Sequence, residues 1–370
     1  MTHNHLLNEN HIEFSNEPLF LGSGRNIARL DLNIEQHIQK SIDNAIGLMW
    51  FAGDFSYIED GKDYALMDKK QQELFLKNLK FQQLWDSMAA RSVSECFIPC
   101  TTNPQLESWW YMHAFFENNI HSKTYAEIIK ALPVDAKTVF DTIMIDENIL
   151  SRARPIMANF ENLVVLNSRM ILKHNYSVER HKSAIIMALY SLNILEAMIF
   201  KSSFLTSFAY KENGIMNATG DAIKKIQLDE INHYAMTTSL INRLRKDPEW
   251  AYLFKDLEPQ IYDLYRIAIL ADYIWTDHLF EDGVILLGIS NEALKQSVDY
   301  NAKVVMTSVG LKPFKEDVFN SCTWANKYTK SSNVQTAQKE KNNANYLLGK
   351  LNTNIPFLFW NNFQGEKNDT

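Results

Sequence analysis

The stretch DEINHY, residues 229–234, sets a carboxylate, Glu230, and an imidazole, His233, three positions apart. On a helix, side chains at that spacing leave from one face and can share a ligand. One Glu-x-x-His means little in a chain with 10 histidines. Its weight comes from partners elsewhere. Glu196, in NILEAMIF, precedes Glu230 by 34 positions, a separation suited to two helices and the segment joining them. Earlier, Asp86, in QLWDSMAARS, is followed 31 positions later by FFENNIHSKTY, with Glu117 and His121. Each half of the chain thus offers one carboxylate on a first helix, then a carboxylate with a histidine on a later one. Four inward-facing helices would supply four carboxylates and two imidazoles.

Such a cluster is restricted by electrostatics. Carboxylates converging in an apolar interior repel one another, and each loses several kcal/mol of hydration unless cations lie among them. Two divalent transition metals solve the problem. Carboxylate oxygens with two imidazoles suit iron or manganese better than zinc or calcium, and Glu-x-x-His from paired helices is the arrangement of di-iron and di-manganese bundles. The competing reading, scattered polar groups satisfied locally, leaves this spacing unexplained.

The rest of the chain reads as all-α. With 12 Gly and 9 Pro in 370 residues there is little turn chemistry for a β fold. Long helical patterns run near 32–50, 67–95, 103–131, 136–150, 152–174, 179–211, 216–246 and 251–281, with further helix at 290–309. AIIMALYSLNILEAMIF (184–200) is apolar almost all round but too short for a membrane span and carries Glu196, so a buried central helix is expected. The net charge of -7, with both signs interspersed, argues against nucleic acid or an anionic membrane as partner. Three scattered cysteines form no disulfide framework or zinc motif, and MTHNHLLNENH lacks a secretory pattern; both fit a cytoplasmic protein. Residues 330–354 turn polar and rich in Asn, Lys and Gln, as a mobile tail would. Three regions are therefore expected: an N-terminal arm (1–31), a helical domain (32–320) and a flexible C-terminal tail (321–370).

Long motifs give these patterns a family. NEPLFLGSGRNIARLD (16–31), NLKFQQLWDSMAARS, IPCTTNPQLESWW, IHSKTYAEII, NILEAMIFKSSFLTSFA, DEINH and YLLGKL (346–351) resemble the small, radical-generating subunit of class I ribonucleotide reductase. The resemblance implies a ferritin-like helical bundle, homodimeric, whose dinuclear metal site reacts with dioxygen. It matches Asp86, Glu117, His121, Glu196, Glu230 and His233 to the metal ligands and Tyr125 to the radical tyrosine. Phe200 and Phe204 match the apolar surroundings of that radical. It further implies a route for the oxidising equivalent through His121, Asp229 and Trp50 to Tyr346, with Glu340 as proton acceptor, toward a large catalytic subunit that the C-terminal tail engages. Taken alone, Trp50 reads equally as a core aromatic, whereas a tyrosine in a polar tail has no core to serve. IPFLFWNNFQ (355–364) would supply the anchors for docking.

Three departures from the family pattern stand out. ENNIH puts three residues between Glu117 and His121 where the family has two, and a straight overlay would put Asn118 at the carboxylate position; a π turn would absorb the extra residue and keep Glu117 as ligand. Leu228 precedes Asp229 where an Arg is common. His113 replaces a Trp one turn before Glu117, and would orient Glu117 from behind, contact metal, or pack in the core. The same ligands accept iron, manganese or one of each, and the oxidising equivalent has three candidate seats: Tyr125, the metals or a modified residue. Two other functions stay open, a di-metal oxidase or monooxygenase acting on its own substrate and a metal-free scaffold subunit.

Overall fold

A computed structural model describes residues 8–32 and 34–329. Its helices are α1 (Gln36–Gly47), α2 (Ile58–Leu66), α3 (Lys69–Ser92), α4 (Ile98–Cys100), α5 (Pro104–Phe115), α6 (Ser122–Ala131), α7 (Ala136–Asp141), α8 (Glu147–Leu172), α9 (Val178–Ile194), α10 (Phe200–Glu212), α11 (Asn217–Leu244), α12 (Ala251–Asp256), α13 (Glu258–Phe280) and α14 (Asn291–Ser308). Among the described residues extended backbone pairs only at isolated bridges, Phe20 with Thr101 and Leu286 with Ile289.

Local chemistry sets the helix ends. Asp68, Asn103, Asp135, Asp146, Ser177 and Ser290 each precede a helix and accept a hydrogen bond from a backbone N–H of its first turn. The cap at Asp146 places the break between α7 and α8 earlier than the hydrophobic pattern suggests: α8 starts at Glu147 and runs through Pro155. The apolar pattern also misses α2, whose sequence IEDGKDYAL is short and charged.

Three single π turns interrupt otherwise continuous helical runs: Val93–Phe97 after α3, Phe116–His121 between α5 and α6, and Leu195–Ile199 between α9 and α10. Such turns add a residue without breaking the rod and re-aim the side chains they carry.

The run Val178–Glu212 is long and apolar enough to cross a membrane by length and composition, yet 83% of its most apolar window is buried inside the protein. It is a core helix, as its all-round apolar pattern implies. Around it α9 packs on α8 and α11, α10 on α3 and α11, and α3 on α6. Buried polar ties hold these rods in register. Asn78 on α3 donates to the Ser203 carbonyl and to Ser207 Oγ, both 3.0 Å away on α10, and Asn193 on α9 donates to Thr237 Oγ1 on α11 at 2.9 Å. Sliding any of these rods would leave buried amides unpaired, at about 1–3 kcal/mol each.

The chain on either side of the helical body also packs against it. Phe20 is buried near the N-terminal end, and the 3-10 turn Thr323–Thr329 stacks Tyr328 on Phe208 with ring centroids 4.1 Å apart.

Candidate metal centre

The four helical runs converge on one buried cluster. Asp86 comes from α3; His113 from α5; Glu117 and His121 from the π turn after it; Glu196 from the π turn after α9; Glu230 and His233 from α11. All seven are at most 3% exposed. Their ligand atoms fall into two groups, each within 4.8 Å internally: His113, Glu117, Glu196 and His233; and Asp86, Glu117, His121 and Glu230.

Two carboxylates span the groups. Glu117 puts Oε1 3.0 Å from His233 Nδ1 and Oε2 3.5 Å from His121 Nδ1. Glu230 puts Oε1 3.0 Å from His121 Nδ1 and Oε2 3.1 Å from His233 Nδ1. The π turn is what aims Glu117 inward. Asn118, one residue on, is exposed with Asn119 in a surface groove and does not join the cluster.

The donor set fits metal ions. Both oxygens of Asp86 and Glu117, Oε2 of Glu196, Oε1 of Glu230 and Nδ1 of His121 are buried without a hydrogen bond of good geometry, although charged neighbours lie within 3.0–3.5 Å of several of them. Atoms so close yet misaligned with one another face common points between them. Buried polar groups are otherwise almost always paired.

Protonation tells the same story. Burial, then the charge of Glu117, holds Asp86 well above the ordinary carboxyl value, and burial with Glu117 and Glu196 does so for Glu230. Against the pull of burial, the charge of His121 and the close approach of all three imidazoles hold Glu117 well below that range. Glu196 falls to about 2, again against burial, through Glu230 and His113. Burial opposes charge on the rings of His121 and His233 as well, but the facing carboxylates raise both well above the usual imidazole value. The shifts of Asp86, Glu230, His121 and His233 all favour holding protons among the clustered carboxylates. Bound cations would take over the role of those protons.

From this cluster a polar path leads outward. His121 Nε2 lies 3.1 Å from Asp229 Oδ2, and Trp50 Nε1 donates to the same oxygen at 2.8 Å. The indole and imidazole rings are near-parallel, 6.3 Å apart. Tyr125, one turn beyond His121, is fully buried, and burial together with neighbouring Asp86 keeps its hydroxyl protonated far above the usual phenol value. Phe200 and Phe204 stack at 5.7 Å inside the same core. Tyr346, Glu340 and residues 355–364 lie outside the described residues.

The structure draws His113 into the cluster itself. Its Nε2 is 3.1 Å from Glu196 Oε1 and 3.4 Å from Glu117 Oε1. The signal for this in the sequence is the four-residue spacing from His113 to Glu117, which puts both on one helix face.

A bundle of long helices that buries four carboxylates and three imidazoles in two adjacent groups is a ferritin-like fold whose core could hold a dinuclear metal site. The family model for the small chain of ribonucleotide reductase matches residues 33–321. The chain belongs to that family, and so is a component of a reductase enzyme. Ribonucleoside-diphosphate reductase 1 subunit beta of Escherichia coli O157:H7 is 32% identical over 362 residues, 94% of this chain and 96% of that protein. The corresponding subunit beta of Haemophilus influenzae is 31% identical over 353 residues, 92% of this chain and 93% of that protein. Among solved structures, the R2 subunit from Clostridium botulinum shares the fold with a TM-score of 0.75 at 20% identity, covering 88% of this chain and 97% of that one. A dimanganese(II) protein of Streptococcus sanguinis does so at 0.64 and 18% identity, covering 82% and 98%.

Proposed function

We propose that this chain is the radical-storing small subunit of an aerobic ribonucleotide reductase, working in the cytoplasm on behalf of a large subunit that binds ribonucleoside diphosphates and reduces them to deoxyribonucleotides. The observation that carries the reading is the path His121–Asp229–Trp50, with contacts of 3.1 and 2.8 Å leading from the ligand cluster. An oxidase acting on its own substrate has no use for such an exit, and a scaffold has no use for the cluster.

Held by Asp86, Glu117, His121, Glu196, Glu230 and His233, two iron ions, two manganese ions or one of each would supply the oxidising chemistry, with dioxygen as the oxidant. The protein does the rest. Tyr125 gives up an electron and its phenolic proton, becoming a neutral oxygen radical. Its burial, with Phe200 and Phe204 in the same core, keeps water and reductants away. Asp229 holds the ring of His121 and the indole of Trp50 in fixed orientation through one shared oxygen. Tyr346, with Glu340 as proton acceptor, continues the route in the C-terminal segment, whose cluster of apolar side chains at 355–364 docks to the large subunit. The working unit is a homodimer.

Electron paramagnetic resonance after adding iron or manganese with dioxygen is the test. A tyrosyl signal absent from Tyr125→Phe is the expected result; an unchanged signal in that variant removes Tyr125 from the role.

A further inference from the structure

We infer that His113 is a seventh metal ligand, so that the two metal positions have unequal donor sets: two imidazoles at one and a single imidazole at the other, with Glu117 and Glu230 reaching both. This rests on the dinuclear reading above. The nitrogen-rich position gathers His113, His233, Glu117 and Glu196, and the other Asp86, His121, Glu117 and Glu230, whose Oε2 also comes within 3.1 Å of His233 Nδ1.

His113 Nε2 is within hydrogen-bond distance of Glu196 Oε1, and its placement is also that of a metal donor. His113 sits on α5 one turn before Glu117, with no exposed surface. Its Nε2 reaches the same two carboxylates as His233 Nδ1: Glu196 Oε1 at 3.1 Å and Glu117 Oε1 at 3.4 Å, against 3.4 Å to Glu196 Oε2 and 3.0 Å to Glu117 Oε1 for His233. The two rings stack, 3.7 Å apart and inclined by 21°. Two imidazoles therefore deliver adjacent nitrogens to one space bounded by two carboxylates. Glu117 Oε1 is close to both nitrogens yet hydrogen-bonded to neither, as expected of an oxygen aimed at a point between them. Iron(II), which accepts imidazole readily, is drawn to the nitrogen-rich position, whereas manganese(II) is equally suited to the carboxylates of both.

The alternative role is a hydrogen bond from His113 to Glu196 that merely orients the carboxylate. Losing such a group also weakens metal binding by about 10–100-fold, so affinity alone does not separate the two roles. Nitrogen counting does. The full-length chain, labelled with nitrogen-15 in histidine only, is titrated anaerobically with manganese(II) and followed by pulsed electron paramagnetic resonance and metal analysis. At two manganese per chain the expected spectrum shows two imidazole nitrogens on one ion and one on the other. His113→Gln retains an amide able to hydrogen-bond Glu196; it should show one imidazole nitrogen on each ion and bind one of its two ions at least about tenfold more weakly. One imidazole nitrogen per ion in the wild-type chain carrying two metals would overturn the seventh ligand and leave the dinuclear site standing. The same nitrogen count in His113→Gln as in wild type would also overturn it. A wild-type chain that takes up no metal would overturn both.

Discussion

Asp229 Oδ2 accepts a hydrogen bond from Trp50 Nε1 at 2.8 Å and lies 3.1 Å from His121 Nε2, so one oxygen joins residues 50 and 121 across the interior. A carboxylate behind a metal-binding histidine fixes the ring and its tautomer. Here the same atom also holds an indole. Asp229→Ala should therefore leave the tyrosyl signal largely in place while nucleotide reduction with the large subunit falls at least about a hundredfold, the scale of loss when reacting groups drift by an ångström. Measuring spin content and turnover on one preparation checks it. Equal losses in both would place Asp229 in radical formation instead.

Glu117 and Asn118 make a sharper pair, because one residue separates a buried oxygen donor from an exposed amide. Glu117 reaches both ligand groups, so Glu117→Ala should cost at least one of the two metals after reconstitution. Asn118→Ala should leave metal content untouched and stability within about 0.5 kcal/mol, as for an ordinary surface change. Metal analysis of the two variants side by side decides which residue the π turn delivers.

Most of the buried cluster was legible in the sequence because the metal chemistry expected of it confines residue types and helices confine spacing. Asp86, Glu196 and the pair Glu230 and His233 follow from those two constraints. The extra residue in ENNIH was readable only as a demand for a π turn, which the structure has at Phe116–His121. His113 was legible as sharing a face with Glu117, but the direction of its ring depends on packing against Trp109, Trp110 and His233, which no local pattern encodes. Helix α2 was missed for a related reason: its stability comes from what it touches. Gly61 belongs there because a Cβ would lie 2.4 Å from the carbonyl oxygen of Ala131.

That short helix also leads to a prediction about α11. The residue before α11, Met216, has a left-handed backbone (φ 55°) and gives no side-chain cap. The capping comes from α2 instead. Asp60 accepts from the backbone N–H groups of Ala218 at 3.1 Å and Thr219 at 2.6 Å, and Asp63 accepts from that of Met216 at 2.9 Å. Asp60→Ala should thus destabilise the protein by about 1–2 kcal/mol, the range of a lost N-cap, with Asp60→Asn recovering only part of it because its amide keeps a single acceptor oxygen. Urea unfolding of the metal-free chain measures the difference. A loss below about 0.3 kcal/mol would mean that α11 does not depend on its borrowed cap.

Finally, the protons in the cluster set the direction of its pH dependence. Asp86 and Glu230 are raised from 3.8 and 4.5, and His121 and His233 from 6.5, so all four hold their protons more tightly folded than unfolded. Stability from such groups is fully present below the unfolded pKa and is lost as pH rises through the folded one. Glu117 and Glu196 act oppositely, but their contribution is already complete above 4.5 and fades only as pH falls, toward about 2 for Glu196. Above about pH 6.5 the raised groups alone therefore govern the cluster, whose contribution to the metal-free chain weakens as pH climbs. Metal binding must expel their protons, so it is favoured in that same direction. The gain in Tm on adding manganese should be larger at about pH 8 than at about pH 6, and loading in weak buffer should acidify the solution. Equal gains at both pH values, with no proton release, would show that the ligands are already deprotonated before the metal arrives.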